Sequence, residues 1–274
     1  MPDETPPAAA VPDVPTPAEP AAPVAAPPLP PVWRGVVVVI AAPVVAIVGV
    51  FGLAGVAIAA SLATGHSQQE VNALITEHVL LLLLALNALW LVCVVLGIRW
   101  FYRVGRAAIG LQRPARAAWV AGNLLLTVPM FFLSSALAQS SERLLRVVSP
   151  GWADWARDLA ERANQVVPDS LWSYKGVMFV LLAVVSAPLV EELVFRGLVF
   201  QLLRRRGFWV AAMGSSALFS AFHGNPMGFF SIFALALVMA WQRERSGSLL
   251  PGMLLHALYN SSQVVGSILS HGRL

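Results

Sequence analysis

GVMFVLLAVVSAPLVEELVFRGLVF, residues 176–200, carries only three charges, Glu191, Glu192 and Arg196, in an otherwise apolar run. A helix of this length rises about 37 Å at 1.5 Å per residue, enough to cross a hydrocarbon core of about 30 Å. Comparable runs flank it at 36–62, 79–98, 117–139, 208–223, 227–241 and 248–269. The chain is 58% hydrophobic and 12% charged, with a mean hydropathy of +0.73. Soluble domains carry about 25% charge. The pattern predicts an all-α, polytopic transmembrane helix bundle of about seven spans, with six to eight compatible with the run lengths. His223-Gly224-Asn225-Pro226 separates the fifth and sixth runs, which reads as two tilted helices or one broken helix. Gly49, Gly52 and Gly55 in the first run predict close helix packing.

The ends and loops are read from composition. Residues 1–33 form a Pro/Ala-rich tail, with 12 of the chain's 20 prolines within residues 1–31. Such a segment buries too little apolar surface to fold, so disorder is expected. It lacks the basic start of a signal peptide, and no cleavage is expected there. The membrane domain is then 34–274. Cys93, the single cysteine, allows no intrachain disulfide and reads as a small apolar side chain.

Net charge is +4, and arginines cluster at the ends of runs: Arg99, Arg103, Arg106, Arg113 and Arg116, then Arg204–Arg206, then Arg243 and Arg245. With seven spans all three clusters fall on one side, which the positive-inside rule makes the cytoplasm. The expected setting is a bacterial cytoplasmic membrane, multi-pass, with a cytoplasmic N-terminus. The arginines therefore read as orientation signals, and no nucleic-acid partner is expected. Trp152, Trp155, Leu159, Ala163 and Val166 recur at helical spacing in the 140–175 loop. They predict an amphipathic helix at the outer interface or packed on the bundle.

Of 14 acids, only Glu191 and Glu192 lie within apolar runs. An ionised group at mid-membrane costs about 2.5–3.5 kcal/mol on insertion scales, so such groups need partners and mark function. Glu192 and Arg196, four apart, share a helix face. Glu191 projects about 100° away and is left available as a base. Phe219 and His223 form a second i,i+4 pair, and His256 and Asn260 a third. Counted from the arginine-rich ends, Glu191, His223 and His256 lie about 20, 22 and 16 Å deep. Taken singly, each feature reads as a structural ion pair or a buried histidine. Together, at matched depth, they read as one site. Peptide hydrolysis needs an activated water, oxyanion stabilisation and a proton for the leaving amine. Carboxylates, histidines and an amide can supply these. No Gly-x-Ser-x-Gly occurs and no cysteine accompanies the histidines, which disfavours a serine or cysteine nucleophile.

Glu191-Glu192-x-x-x-Arg196, Phe219-x-x-x-His223 and His256-x-x-x-Asn260 resemble, in order and spacing, the three motifs of the CPBP family. That family comprises CAAX proteases and bacteriocin-processing enzymes, also called Abi-type intramembrane endopeptidases. The resemblance covers about 176–262. It implies a peptide-bond hydrolase with Glu191 and His223 activating water and His256 and Asn260 forming the oxyanion site. Glu192 and Arg196 would fix the geometry. The substrate would be a peptide or membrane protein in the lipid bilayer. No cofactor is favoured. A Zn²⁺ site, the alternative, would draw on Glu191, Glu192, His223 and His256, although no His-Glu-x-x-His is present. The competing readings are a transporter or channel, which the absence of charge in the first three spans disfavours, and a family-like binding protein without catalysis.

Overall fold

The first described helix begins at Val32, two residues before the boundary read from composition. This is a computed structural model. It describes residues 30–114, 116–164, 168 and 170–270. Residues 1–29, Val166 and His271, and with them the tail reading, lie outside the described residues.

Eight helical stretches follow, and no strand occurs among the described residues. They are α1 (Val32–Ala63), α2 (Gln68–Leu96) continuing as a π-helical turn (Gly97–Tyr102), α3 (Ala118–Val148) and α4 (Pro150–Asn164). Then come α5 (Tyr174–Arg204), α6 (Phe208–Phe222), α7 (Phe229–Ser246) and α8 (Leu250–Ser270). Seven of these match the seven apolar runs; α4 is the loop helix. Four, α1, α2 with its extension, α3 and α5, are individually long and apolar enough to cross a membrane. The fifth and sixth runs are two separate helices, packed as a hairpin, with Gly224 at φ +61° in the turn.

Neighbours in sequence pack as α1 on α2 and α6 on α7, while α3 packs on α7 and α8. One core cluster runs through the bundle and includes Trp90, Val94, Phe195, Leu198, Phe219, Met239 and Leu255. Cys93 packs against it. Of Gly49, Gly52 and Gly55, only Gly49 sits at a close approach: an added Cβ would come within 2.9 Å of Leu89. Gly52 and Gly55 have nothing within 4 Å of that position. The close packing expected from the triplet is therefore confined to its first member.

Helix α4 forms in the 140–175 loop. Its alanine stripe, Ala153 and Ala156, is buried, while Trp152 and Trp155 are exposed. Arg157 pairs with Glu142 and Arg146 with Asp154, tying α4 to the end of α3.

At the other end the three arginine clusters converge. Arg205 reaches Tyr102 and the Pro30 carbonyl. Arg243 donates to the Ala108 carbonyl at 2.9 Å, and the Leu249 amide donates to Gly110. Arg204 donates to both Glu244 oxygens at 2.8 and 3.0 Å. That hydrogen-bonded guanidinium holds the Glu244 carboxyl, beyond the sixth apolar run, below its usual range.

Polar groups inside the bundle are shared between helices. Asn123 on α3 donates to the Pro251 carbonyl at 2.7 Å and accepts from Gln242 on α7 at 2.5 Å. Asn123 and Gln242 are 0% and 1% exposed, so water cannot replace a lost partner. Asn123→Ala would leave the Gln242 amide without its acceptor and remove a side-chain donor from the Pro251 carbonyl. It should destabilise the protein by about 1–3 kcal/mol, read as a lowered unfolding temperature in detergent with unchanged helix content.

Candidate active site

Helix α5 is not a regular α-helix, and its irregularity positions the site. It runs as α (Tyr174–Val180), π (Leu181–Ser186), α (Ala187–Glu192), π (Leu193–Val199) and α (Phe200–Arg204). The paired glutamates close the short α segment between the two widened turns. Such π segments recur at functional sites. The first has an identifiable cause. In π register the Ala187 amide donates back to Leu182. The next donor, to Ala183, would be residue 188, which is proline and has no N–H. Asn260 fills the gap: its Nδ2 donates to the Ala183 carbonyl at 2.7 Å.

Glu192 and Arg196 meet as their spacing predicts. Arg196 Nη1 donates to Glu192 Oε1 at 2.9 Å, with both side chains buried (1% and 0% exposed). Arg196 Nη2 also reaches the Ala236 carbonyl on α7 at 3.3 Å, and its guanidinium carbon lies 4.2 Å from the Phe219 ring centroid. Arg196 Nε and Glu192 Oε2 are buried without a hydrogen-bond partner in the protein, so the pair depends on the bonds its other atoms make.

Glu191 faces elsewhere, into the space between α5, α6 and α8. Its Oε2 is 3.7 Å from His223 Nε2 and 3.8 Å from His256 Nε2. These separations exceed a direct hydrogen bond and suit a water-bridged contact. Oε2 is buried without a hydrogen-bond partner in the protein. His223 ends α6. Its Nδ1 lies 2.8 Å from the Phe219 carbonyl, which only accepts, so Nδ1 carries the proton and Nε2 is the acceptor in the neutral ring. His256 stands between the two carboxylates, with Nδ1 3.3 Å from Glu192 Oε1 and Nε2 3.8 Å from Glu191 Oε2. The Nδ1 contact is within ion-pair range but lacks hydrogen-bond alignment.

Of the sequence-predicted site residues, five are thus joined through direct neighbours: Glu191, Glu192, Arg196, His223 and His256. Asn260 is on the same helix as His256, but its described contact is with Ala183. Two further participants were given no role in the site from sequence. Phe219, 1% exposed, is the platform on which Arg196, His223 and His256 assemble; its ring centroid lies 4.6 Å from that of His223 and 5.6 Å from that of His256. Gly252 lies where an added Cβ would come within 3.1 Å of Glu192 Oε2, so a small residue there lets α8 approach α5.

The metal-ligand set Glu191, Glu192, His223 and His256 fits poorly as a whole. Glu192 Oε1 already serves a buried guanidinium, whose positive charge opposes a cation beside it. Among the described residues, no group of three His, Cys, Asp or Glu has metal-binding geometry.

A multi-pass helical membrane protein with a carboxylate–histidine centre buried among three of its helices is the class defined by this geometry. Residues 173–262, about a third of the chain and all of the site, match the type II CAAX prenyl endopeptidase Rce1-like family. The match supports placing this segment with the CAAX proteases, and with them a peptide hydrolase of the CAAX intramembrane type in general. The chain is also 29% identical over 177 residues to an Escherichia coli protein described as an uncharacterized 24.3 kDa protein. That similarity spans 61% of this chain and 71% of the relative. No solved structure matches the chain.

Proposed function

We propose that the protein cleaves peptide bonds of membrane-embedded substrates with a water held between Glu191 and His223. The observation that carries this reading is the convergence of two histidine Nε2 atoms on one buried carboxylate oxygen, at 3.7 and 3.8 Å. Glu191 takes the proton as the water attacks the scissile carbonyl, then passes it to the leaving amine. His223, with Nδ1 committed to Phe219, presents Nε2 to the same water. His256 is flanked by carboxylates on both ring nitrogens, the setting in which a histidine acts as a donor, and it faces the developing oxyanion. The amide of Asn260 has two hydrogens; one serves Ala183, and the second is assigned to the oxyanion. Glu192 and Arg196 are positioning residues acting through His256 and Phe219.

No metal is assigned a role, because Glu192 is engaged by Arg196 and the remaining groups suffice for the chemistry. The substrate enters from the His223 side, where the side chain is 29% exposed. The arginine-rich end is assigned to the cytoplasm by the positive-inside rule, which places the N-terminus on the cytoplasmic side of a bacterial cytoplasmic membrane.

The test is a peptide library presented to the detergent-purified protein, with and without a chelator, and to His223→Ala. Cleavage by the wild type that survives chelation and falls by about 10²-fold or more in the variant is expected. Loss of wild-type cleavage on chelation, restored by added Zn²⁺, would replace this mechanism with a metal-dependent one.

A further inference from the structure

Apart from the carboxylate–histidine site, the arginine-rich end of the bundle holds an open cavity of about 850 Å³, within the range of small-molecule sites. It is formed where α2 passes into its π-helical turn and the chain doubles back. Arg103, at φ 56°, ends that turn, with its amide on the Ile98 carbonyl. Arg99, Arg103 and Arg106 line the cavity, together with Trp100, Ile109 and Leu193.

We propose that this cavity holds the phosphate headgroup of an anionic membrane lipid. Three observations carry the assignment. First, among the described residues none of the three arginines pairs with a carboxylate. Glu244, the acid described at this end, is occupied by Arg204 through both oxygens. The three exposed arginines, of which Arg103 also donates to the Trp100 carbonyl at 2.9 Å, line one space whose positive charge an anion would neutralise. Second, Ile98, Val104, Ile109 and Leu193 make much of the wall. Those surfaces suit the glycerol and first methylenes of a lipid and offer nothing to a free phosphate. Third, the rim faces outward from the bundle. Trp100 is 65% exposed and Val95 43%, and tryptophan favours the headgroup level of a bilayer. A basic pocket between transmembrane helices beside the headgroups is the setting in which anionic lipids are recognised.

The experiment uses the full chain reconstituted in nanodiscs of phosphatidylcholine with a minor fraction of phosphatidylglycerol, then released for native mass spectrometry. The wild type should retain phosphatidylglycerol in excess of its share of the nanodisc lipid. Arg99→Gln and Arg106→Gln should each reduce that excess by about fivefold, and together should abolish it. Arg103 is left in place because it closes the helix. Arg206→Gln removes an exposed charge at the same end but outside the cavity and should change nothing. Equal retention by wild type and the double variant would overturn the proposal. So would an equal loss with Arg206→Gln, which would reflect general surface charge. Displacement of the lipid by millimolar glycerol 3-phosphate would also overturn it, identifying a free-anion site instead.

Discussion

Glu191→Gln should leave the protein folded and lower turnover of any peptide that the wild type cuts by about 10²–10⁴-fold. The substitution keeps the size of the side chain and removes only its capacity to take a proton. Folding should tolerate it because Glu191 Oε2 makes no hydrogen bond within the protein, and the side chain, 13% exposed, is the least enclosed of the two glutamates. A glutamine keeps a side-chain oxygen that can accept from the same bridging water, so the substrate should bind with little change and the loss should fall on kcat. Glu191→Asp makes a useful companion. It keeps the carboxylate but withdraws it by one methylene from two nitrogens already 3.7 and 3.8 Å away. It should retain more activity than Gln and less than wild type. A Glu191→Gln protein that cleaves within tenfold of the wild type would move the base to Glu192 and end the present assignment.

The parts of this architecture that were readable from sequence are those governed by local chemistry. The seven apolar helices were legible because the cost of exposing polar backbone to lipid forces long apolar runs into helices. Their ends were less so. The run read as 227–241 is a helix over Phe229–Ser246, because Arg243 buries its stem and donates to Ala108 across the bundle, a partner no window of hydropathy can see. The Glu192–Arg196 pair followed from i,i+4 spacing. The separate direction of Glu191 followed from the angle per residue, and the π-helical turns on either side left both features intact. The contact of Asn260 was not legible. It depends on a π register that deprives Ala183 of its backbone donor at Pro188, whereas periodicity arguments assume 3.6 residues per turn. Phe219 was visible as one half of a helical pair but not as the shared platform, because its contacts with Arg196 and His256 join three helices. Gly52 and Gly55 show the opposite failure: a small-residue pattern predicts close approach only where a partner helix is present, and α2 reaches Gly49 alone.

Arg196→Met should be the most damaging single substitution for stability, and the damage should be largely reversed by changing its partner. Methionine fills much of the space but removes the 2.9 Å bond to Glu192, the 3.3 Å bond to the Ala236 carbonyl and the cation over Phe219. Glu192, 0% exposed, is then a buried carboxylate with only the poorly aligned His256 Nδ1 beside it. Breaking a buried pair from one side costs about 3–5 kcal/mol, whereas replacing both partners with groups of similar volume is often close to neutral. Glu192→Gln/Arg196→Met should therefore be more stable than Arg196→Met alone, losing less than about 2 kcal/mol by the same reasoning. Unfolding of the four proteins in detergent, followed by circular dichroism, completes the double-mutant cycle. Additive losses would mean that the two residues act independently and that burial, not pairing, sets the cost. Activity separates structure from chemistry in the same set. The double variant should fold yet cleave poorly, since His256 loses the carboxylate facing its Nδ1 and the ring no longer has a fixed orientation between Glu192 and Glu191. A stable double variant with wild-type turnover would confine the pair to holding the helices together, and the positioning of His256 would then rest on Phe219 alone.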